Sequence, residues 1–221
     1  MSFSLLTLHT NRLLAQQAFY TETLAFPLVE AGKTSFSVQI GETRLQFKAA
    51  DRAKPTHFAI NIPSHSTNLA LSWLKERLPI LPFNGKEIVD FSNWNAEAIY
   101  FHDPGGNIVE FIARRNLAIP TRPTFTSKQC TCISEVGVGT KDIEQIHWQL
   151  NEAIPFPIYD GSFDRFCALG NEEGLFIVVN YEKKKWFPTD EPISASRFEV
   201  EWSEGKQSWH IHYESEELTI R

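Results

Sequence analysis

Little in this sequence is extreme, and each thing it lacks removes a class of protein. Cysteines number three, Cys130, Cys132 and Cys167, an odd set that cannot all pair within one chain. Cys130-Thr131-Cys132 is too close for metal-finger spacing and has no second pair. The expectation is reduced, structural thiols in a cytoplasmic protein. No apolar stretch approaches the roughly 20 residues needed to span a membrane. The opening MSFSLLTLHTNR lacks a basic start, a long apolar core and a cleavage site, so no signal peptide is expected. Long runs of one charge are absent from a chain of net charge −6. The Lys183-Lys184-Lys185 triplet is too short to argue for nucleic acid and reads as a solvated loop. Ser, His and Asp residues are scattered without a nucleophile elbow, so a hydrolase triad has no support.

What remains is ordinary globular material. The 221 residues are 42% apolar and 22% charged, enough for one large domain or two small ones. A strand is expected over Phe3–Thr10, then a helix capped by Thr10 or Asn11 and running to about Leu24. Strands follow near Pro27–Ala31, Ser35–Ile40 and Thr43–Lys48, with Gly41-Glu42 as a two-residue hairpin turn. The pattern restarts with a strand at His57–Ile62 and a helix over Ser66–Leu78. Strands follow near Glu87–Phe91, Ala98–His102 and Asn107–Ala113. The segment Asn116–Lys128 carries Pro120 and Pro123 without periodicity and reads as a linker. Beyond it come a strand at Cys132–Val138, a helix at Asp142–Ala153 and strands near Pro157–Asp160, Asp164–Leu169 and Leu175–Asn180.

The recurrence can be tested on the residues. Residues 5–48 laid over 135–178 without a gap give seven identities: Thr10/Thr140, Glu22/Glu152, Phe26/Phe156, Pro27/Pro157, Phe36/Phe166, Glu42/Glu172 and Leu45/Leu175. Chance gives roughly three at this composition. The repeating unit is strand–helix–strand–strand–strand. The tail begins a fourth copy at Arg197–Trp202 with no helix after it. Gly205 is read as a turn into Ser208–Tyr213, followed by a last strand near Leu218–Ile220.

Three stretches resemble the vicinal oxygen chelate superfamily of glyoxalase, bleomycin-resistance and extradiol-dioxygenase-like proteins. They are AFYTETLAF (18–26, with Ala25 where the family usually has Gly), HFAINI (57–62) and FHDPGGNIVEF (101–111). The last is the most specific, and together they lie within residues 3–115. The resemblance implies an α+β fold in which repeated βαβββ units form curved, mostly antiparallel, cup-like sheets: the glyoxalase/bleomycin resistance/dioxygenase fold. It implies a two-unit module over 1–115, a linker over 116–128, and a degenerate second module over 129–221. Alternation then sends Phe58, Ile60, Ile62, Val109 and Phe111 toward the helices. His57, Ala59, Asn61, Ile108, Glu110 and Ile112 face the cup.

In the family, the residues matching His57 and Glu110 are metal ligands. An imidazole and a carboxylate suit Fe, Mn, Zn or Ni. The other family positions fall at Leu5, which cannot ligate, and Gln46, which offers a weak carbonyl oxygen. A divalent site of His57, Glu110 and Gln46 is therefore one expectation, with Glu110 also the candidate catalytic base. The other is a metal-free cup in which His57 and Glu110 bond each other or a water. His9, Arg44, Asn61 and Tyr100 are candidate substrate-binding residues, His9 at the cup mouth because it lies about 13 Å along the strand from Leu5. Asp103, Pro104, Gly105, Gly106 and Asn107 read as turn chemistry, Gly and Asn supplying positive φ. His210 and His212 share a strand face, a spacing that can chelate metal. Trp94, Trp148, Trp186, Trp202 and Trp209 read as packing.

In the third unit Glu135 stands at the position of Leu5 and Phe176 at that of Gln46, so no second complete ligand set is expected. The C-terminal part is expected to cover sheet edges or a cup mouth, or to supply within one chain an interface that two-unit members form by dimerising. Two functions stay open. One is a metal-dependent glyoxalase- or dioxygenase-like enzyme, a lyase or oxidoreductase chelating a small oxygenated substrate, with full extradiol cleavage disfavoured. The other is a metal-free binding protein of the drug-resistance kind, or an interaction protein that has lost the chemistry. No nucleic-acid or membrane partner is expected, and the state is monomer or homodimer.

Overall fold

The computed structural model describes residues 2–204 and 207–221; the turn expected at Gly205 lies outside them. The repeating unit is present. The first copy is β1 (Ser2–Thr10), α1 (Leu13–Ala18, continued by one wider turn over Phe19–Thr23), β2 (Leu28–Ala31), β3 (Ser35–Ile40) and β4 (Thr43–Ala49). The second is β5 (His57–Ile62), α2 (Thr67–Lys75), β6 (Val89–Phe91), β7 (Ala96–His102) and β8 (Ile108–Arg114). The third is β9 (Cys132–Thr140), α3 (Ile143–Ala153), β10 (Ile158–Ser162), β11 (Phe166–Asn171) and β12 (Gly174–Asn180). The fourth keeps only strands, β13 (Phe198–Glu204), β14 (Gln207–Glu214) and β15 (Glu217–Ile220). No helix of the described residues is long and apolar enough to cross a membrane.

Inside each full unit the first strand runs parallel to the last, and the others pair antiparallel. Units join antiparallel through their first strands. The pairs are β1 with β13 and β5 with β9. The sheets therefore read β15-β14-β13-β1-β4-β3-β2 and β10-β11-β12-β9-β5-β8-β7-β6. This corrects the expectation that units one and two enclose one cup. Units two and three share the larger sheet, and unit one pairs with the truncated fourth. The 116–128 segment that joins units two and three is pinned at Ile119, Phe125 and Ser127, with residues 120–124 exposed. Ser64 N donates to Ile119 O, Ser127 Oγ donates to Ala25 O, and buried Phe125 packs edge-on against Trp73.

Strand alternation sorts side chains into two apolar clusters. Leu6, Leu8, Phe47, Phe58, Phe111 and Val136 belong to one core that also receives the helices. A truncation such as Phe111→Ala there costs about 3–5 kcal/mol. Ala59, Tyr100, Ile108, Ile112, Ile177 and Trp186 form the second cluster, on the opposite face of the larger sheet. Every residue of β5, β8 and β9 is buried, because both faces of these central strands are covered.

The Asp103–Asn107 turn does more than reverse the chain. Gly106 has φ +83°, but Asn107 is not left-handed, contrary to the expectation. Its side chain instead ties two strand starts together, accepting from Thr56 N (2.9 Å) and donating to Asp103 Oδ2 (2.8 Å). Buried Asp103 also accepts from Gln16 Nε2 and the Tyr20 hydroxyl, which locks the helix of unit one onto unit two. Helix α3 starts at Asp142, whose carboxylate accepts from Gln145 N. Ser66 makes no such cap; its hydroxyl donates to Pro63 O instead.

Candidate metal centre and cavity

Three buried acidic and imidazole side chains meet on the concave face of the larger sheet. His57 opens β5, Glu110 is the third residue of β8, and Glu135 is the fourth of β9. The parallel β5–β8 register sets Ala59 beside Glu110, and the antiparallel β5–β9 register sets Ala59 beside Glu135. One small residue thus has a glutamate on each side, and His57 lies two residues away on the same face. Potential ligand atoms of the three side chains lie within 4.8 Å of one another, the single such group among the described residues.

His57 Nδ1 lies 3.1 Å from Ile108 O, a distance at which the protonated nitrogen donates to the carbonyl. That leaves Nε2 facing Glu110 Oε2 and Glu135 Oε2, each at 3.4 Å. A backbone carbonyl that fixes the distal ring nitrogen is the usual outer partner of a metal-bound histidine. A nitrogen and two carboxylate oxygens are a donor set for a first-row divalent ion. The residues present therefore fit a metal.

Burial makes the group electrostatically costly. It pushes the Glu110 carboxyl up to about 8, with the negative charge of Glu135 adding to the rise. Burial works against a charged His57, but the hydrogen bond to Glu135 and the charges of Glu110 and Glu135 outweigh it and raise its pKa. Tyr100, the cross-strand partner of Glu110, is raised well above its ordinary value by burial and by both glutamates. Arg114 supplies the opposing charge from the floor. It is fully buried, donates from one terminal nitrogen to Glu135 Oε1, and donates from Nε to Asn61 Oδ1 at 3.2 Å.

Above these groups lies a cavity of about 160 Å³, small beside the roughly 300–1,000 Å³ of drug-sized sites. Its walls include Phe91, Trp94, Phe166, Trp186 and Phe187. The Trp186 ring centroid is 5.6 Å from that of His57, and its buried Nε1 has no partner among the described residues. The bare backbone of Gly137 admits Trp186 here, since a Cβ would lie 2.5 Å from Trp186 Cη2.

The predicted site residues divide. His57, Glu110 and Tyr100 line the cavity. Asn61 faces the same side but is spent on structure, accepting from Arg114 and donating to Glu172 O. Gln46, Arg44 and His9 lie on the smaller sheet. Gln46 Oε1 accepts from Thr7 Oγ1 at 3.2 Å, Arg44 is exposed on β4, and His9 lines a separate groove with Arg52 and Arg197. Gln46 is therefore not beside His57, because β4 and β5 belong to different sheets. His210 and His212 are also on the smaller sheet, outside the group above. Trp94 and Trp186, read as packing, are cavity walls; Trp202 is core and Trp148 is exposed.

Sequence reasoning missed Arg114 and the role of Glu135. Both carried a signal. Arg114 has the inward parity of Glu110 and Ile112, and Glu135 is a lone carboxylate in an apolar strand, as Glu110 is.

No family model matches the sequence, and no curated protein matches it. Solved structures do match the fold. A dioxygenase-like protein from Bacillus subtilis superposes with a TM-score of 0.60 at 13% identity, over 81% of this chain and 63% of that one. Glyoxalase I from Zea mays superposes with a TM-score of 0.54 at 14% identity, over 80% and 66%. The chain thus spans less than two thirds of the length of either relative. The arrangement of units, the curled sheets and these superpositions agree: the chain has the glyoxalase/bleomycin resistance/dioxygenase fold.

Proposed function

We propose that this protein is a metal-dependent enzyme of the glyoxalase or dioxygenase type, with His57, Glu110 and Glu135 as ligands of one divalent ion. The observation that carries the reading is the convergence of three buried ligand atoms within 4.8 Å, drawn from three strands of one sheet. Glu135 takes the place expected of Gln46. When bound, such an ion acts as a Lewis acid on a substrate oxygen.

The chain's own groups supply the rest. The Ile108 carbonyl keeps the His57 proton on Nδ1 and turns Nε2 inward. Arg114 orients Glu135 and offsets its charge. Glu110, which faces the cavity beside His57, is the carboxylate placed to accept or return a proton. The aromatic walls give the cavity a mainly apolar lining. A small oxygenated molecule fits the volume better than an extended one.

A second reading is supported by Arg114. Its ion pair with Glu135, together with one proton shared between His57 and Glu110, makes a neutral buried network that needs no metal, as in a small-molecule binding protein. Elemental analysis of purified wild type, His57→Ala, Glu110→Gln and Gln46→Ala separates the two. The enzyme reading expects stoichiometric metal in wild type and Gln46→Ala, and background metal in the other two. Background metal in wild type after growth and dialysis with Fe, Mn, Zn or Ni would favour the binding protein.

A further inference from the structure

The lysine triplet, read from sequence as a solvated loop, does not behave as one. Lys183 pairs with Asp164 at the surface, and Lys185 is exposed. Lys184 turns inward. It is half-buried, it lines the cavity of His57, and it also lines the surface groove beside Phe83 and Arg165. It therefore stands where the cavity meets solvent. Among the described residues its ammonium makes no ion pair. Its Nζ lies 4.5 Å from the centroid of Phe166.

Phe166 stacks on Trp94 (centroids 6.4 Å, planes 28° apart), and the Arg114 guanidinium lies 5.4 Å from the Trp94 ring. One wall of the cavity is thus a pair of aromatic rings with a cation near each. Arg114 is matched by Glu135. Lys184 has no matching anion, and burial, with the charge of Arg165, pushes its pKa down. The unpartnered Trp186 Nε1, two residues further along, is a buried donor that a ligand acceptor would satisfy.

We infer that Lys184 is a specificity-determining residue that binds an anionic group, a carboxylate, at the outer end of a flat substrate lying along the Trp94–Phe166 wall. The substrate class is then a small planar carboxylate whose vicinal oxygens lie at the opposite end, toward His57, Glu110 and Glu135. The carboxylate half stands on Lys184 alone; the oxygen half rests on the metal reading above.

Two pairs of probes keep those halves apart. Benzoate against benzamide needs no metal. Titrated into chelator-treated protein, benzoate is expected to bind about tenfold tighter than benzamide, the gain of one charge-assisted contact. Lys184→Gln is expected to abolish that preference and leave benzamide unchanged. Equal binding of the two by wild type, no binding of either, or a preference that survives in Lys184→Gln overturns the inference. The second pair is 3,4-dihydroxybenzoate against its amide, titrated into metal-loaded protein. The same tenfold preference, lost in Lys184→Gln, is expected there. A dihydroxybenzoate that binds no tighter than benzoate, with the Lys184 preference intact, removes the vicinal-oxygen half and leaves the carboxylate site standing.

Discussion

Glu135 Oε2 lies 3.4 Å from His57 Nε2, although 78 residues and a unit boundary separate the two. That contact makes the site a product of two repeats. It also makes Glu135 the most informative position to change. Glu135→Ala removes a donor and leaves the fully buried Arg114 without its anion, so it is expected to cost about 3–5 kcal/mol in urea unfolding. Glu135→Gln also removes the charge, but it keeps the shape and an oxygen that can accept from Arg114, so it tests the ligand role with less disruption. We expect its metal content to fall to background; wild-type stoichiometry in Glu135→Gln would remove this residue from the ligand set.

The pH dependence of the metal-free protein follows from the same cluster. Glu110 is raised from 4.5 to about 8, chiefly by burial and then by Glu135, and His57 is raised above 6.5. The folded state then holds more protons than the unfolded one between about pH 4.5 and 8, so this cluster loses stability as pH rises through that window. The His57 contribution is complete below 6.5 and disappears as pH passes its folded value. Thermal unfolding of chelator-treated wild type and Glu110→Gln across this range checks it. The wild type is expected to lose Tm relative to the variant as pH rises; a constant difference would contradict the assignment.

Gly137 and Trp186 are coupled by space alone. A methyl at Gly137 meets the indole at 2.5 Å, so Gly137→Ala is expected to cost about 1–3 kcal/mol by overpacking. In a Trp186→Ala background the same change has room and is expected to cost less than 1 kcal/mol. Equal costs in the two backgrounds would mean that the strain lies elsewhere, for example against Thr56 Oγ1 at 3.2 Å.

Ala25 occupies a position where the resembling proteins usually carry glycine, and its φ is +54°. A Cβ in the left-handed region costs roughly 1–2 kcal/mol, offset in part by the greater unfolded-state freedom of glycine. Ala25→Gly is therefore expected to raise stability by up to about 1 kcal/mol in urea unfolding. A loss of stability would show that the Ala25 methyl contributes packing.

The sequence alone determined the units and the faces. Alternation in HFAINI and NIVEFIA sends Phe58, Ile60, Val109 and Phe111 to one side and His57 and Glu110 to the other, because side chains on a strand alternate with period two. The Asp-Pro-Gly-Gly-Asn turn fixed where β8 begins, and so brought Glu110 onto the face of His57. These are local consequences of backbone geometry, readable within a dozen residues.

Which unit completes the site was decided only by tertiary structure. Pairing β5 with β9 rather than with β1 depends on the match of whole sheet edges and on the docking of the 116–128 segment, and no local pattern encodes either. That pairing set Glu135, rather than Gln46, beside His57 and within reach of Arg114. It also drew Lys184 out of a surface triplet to the cavity mouth, because a loop residue's surroundings are set by whatever packs against the loop.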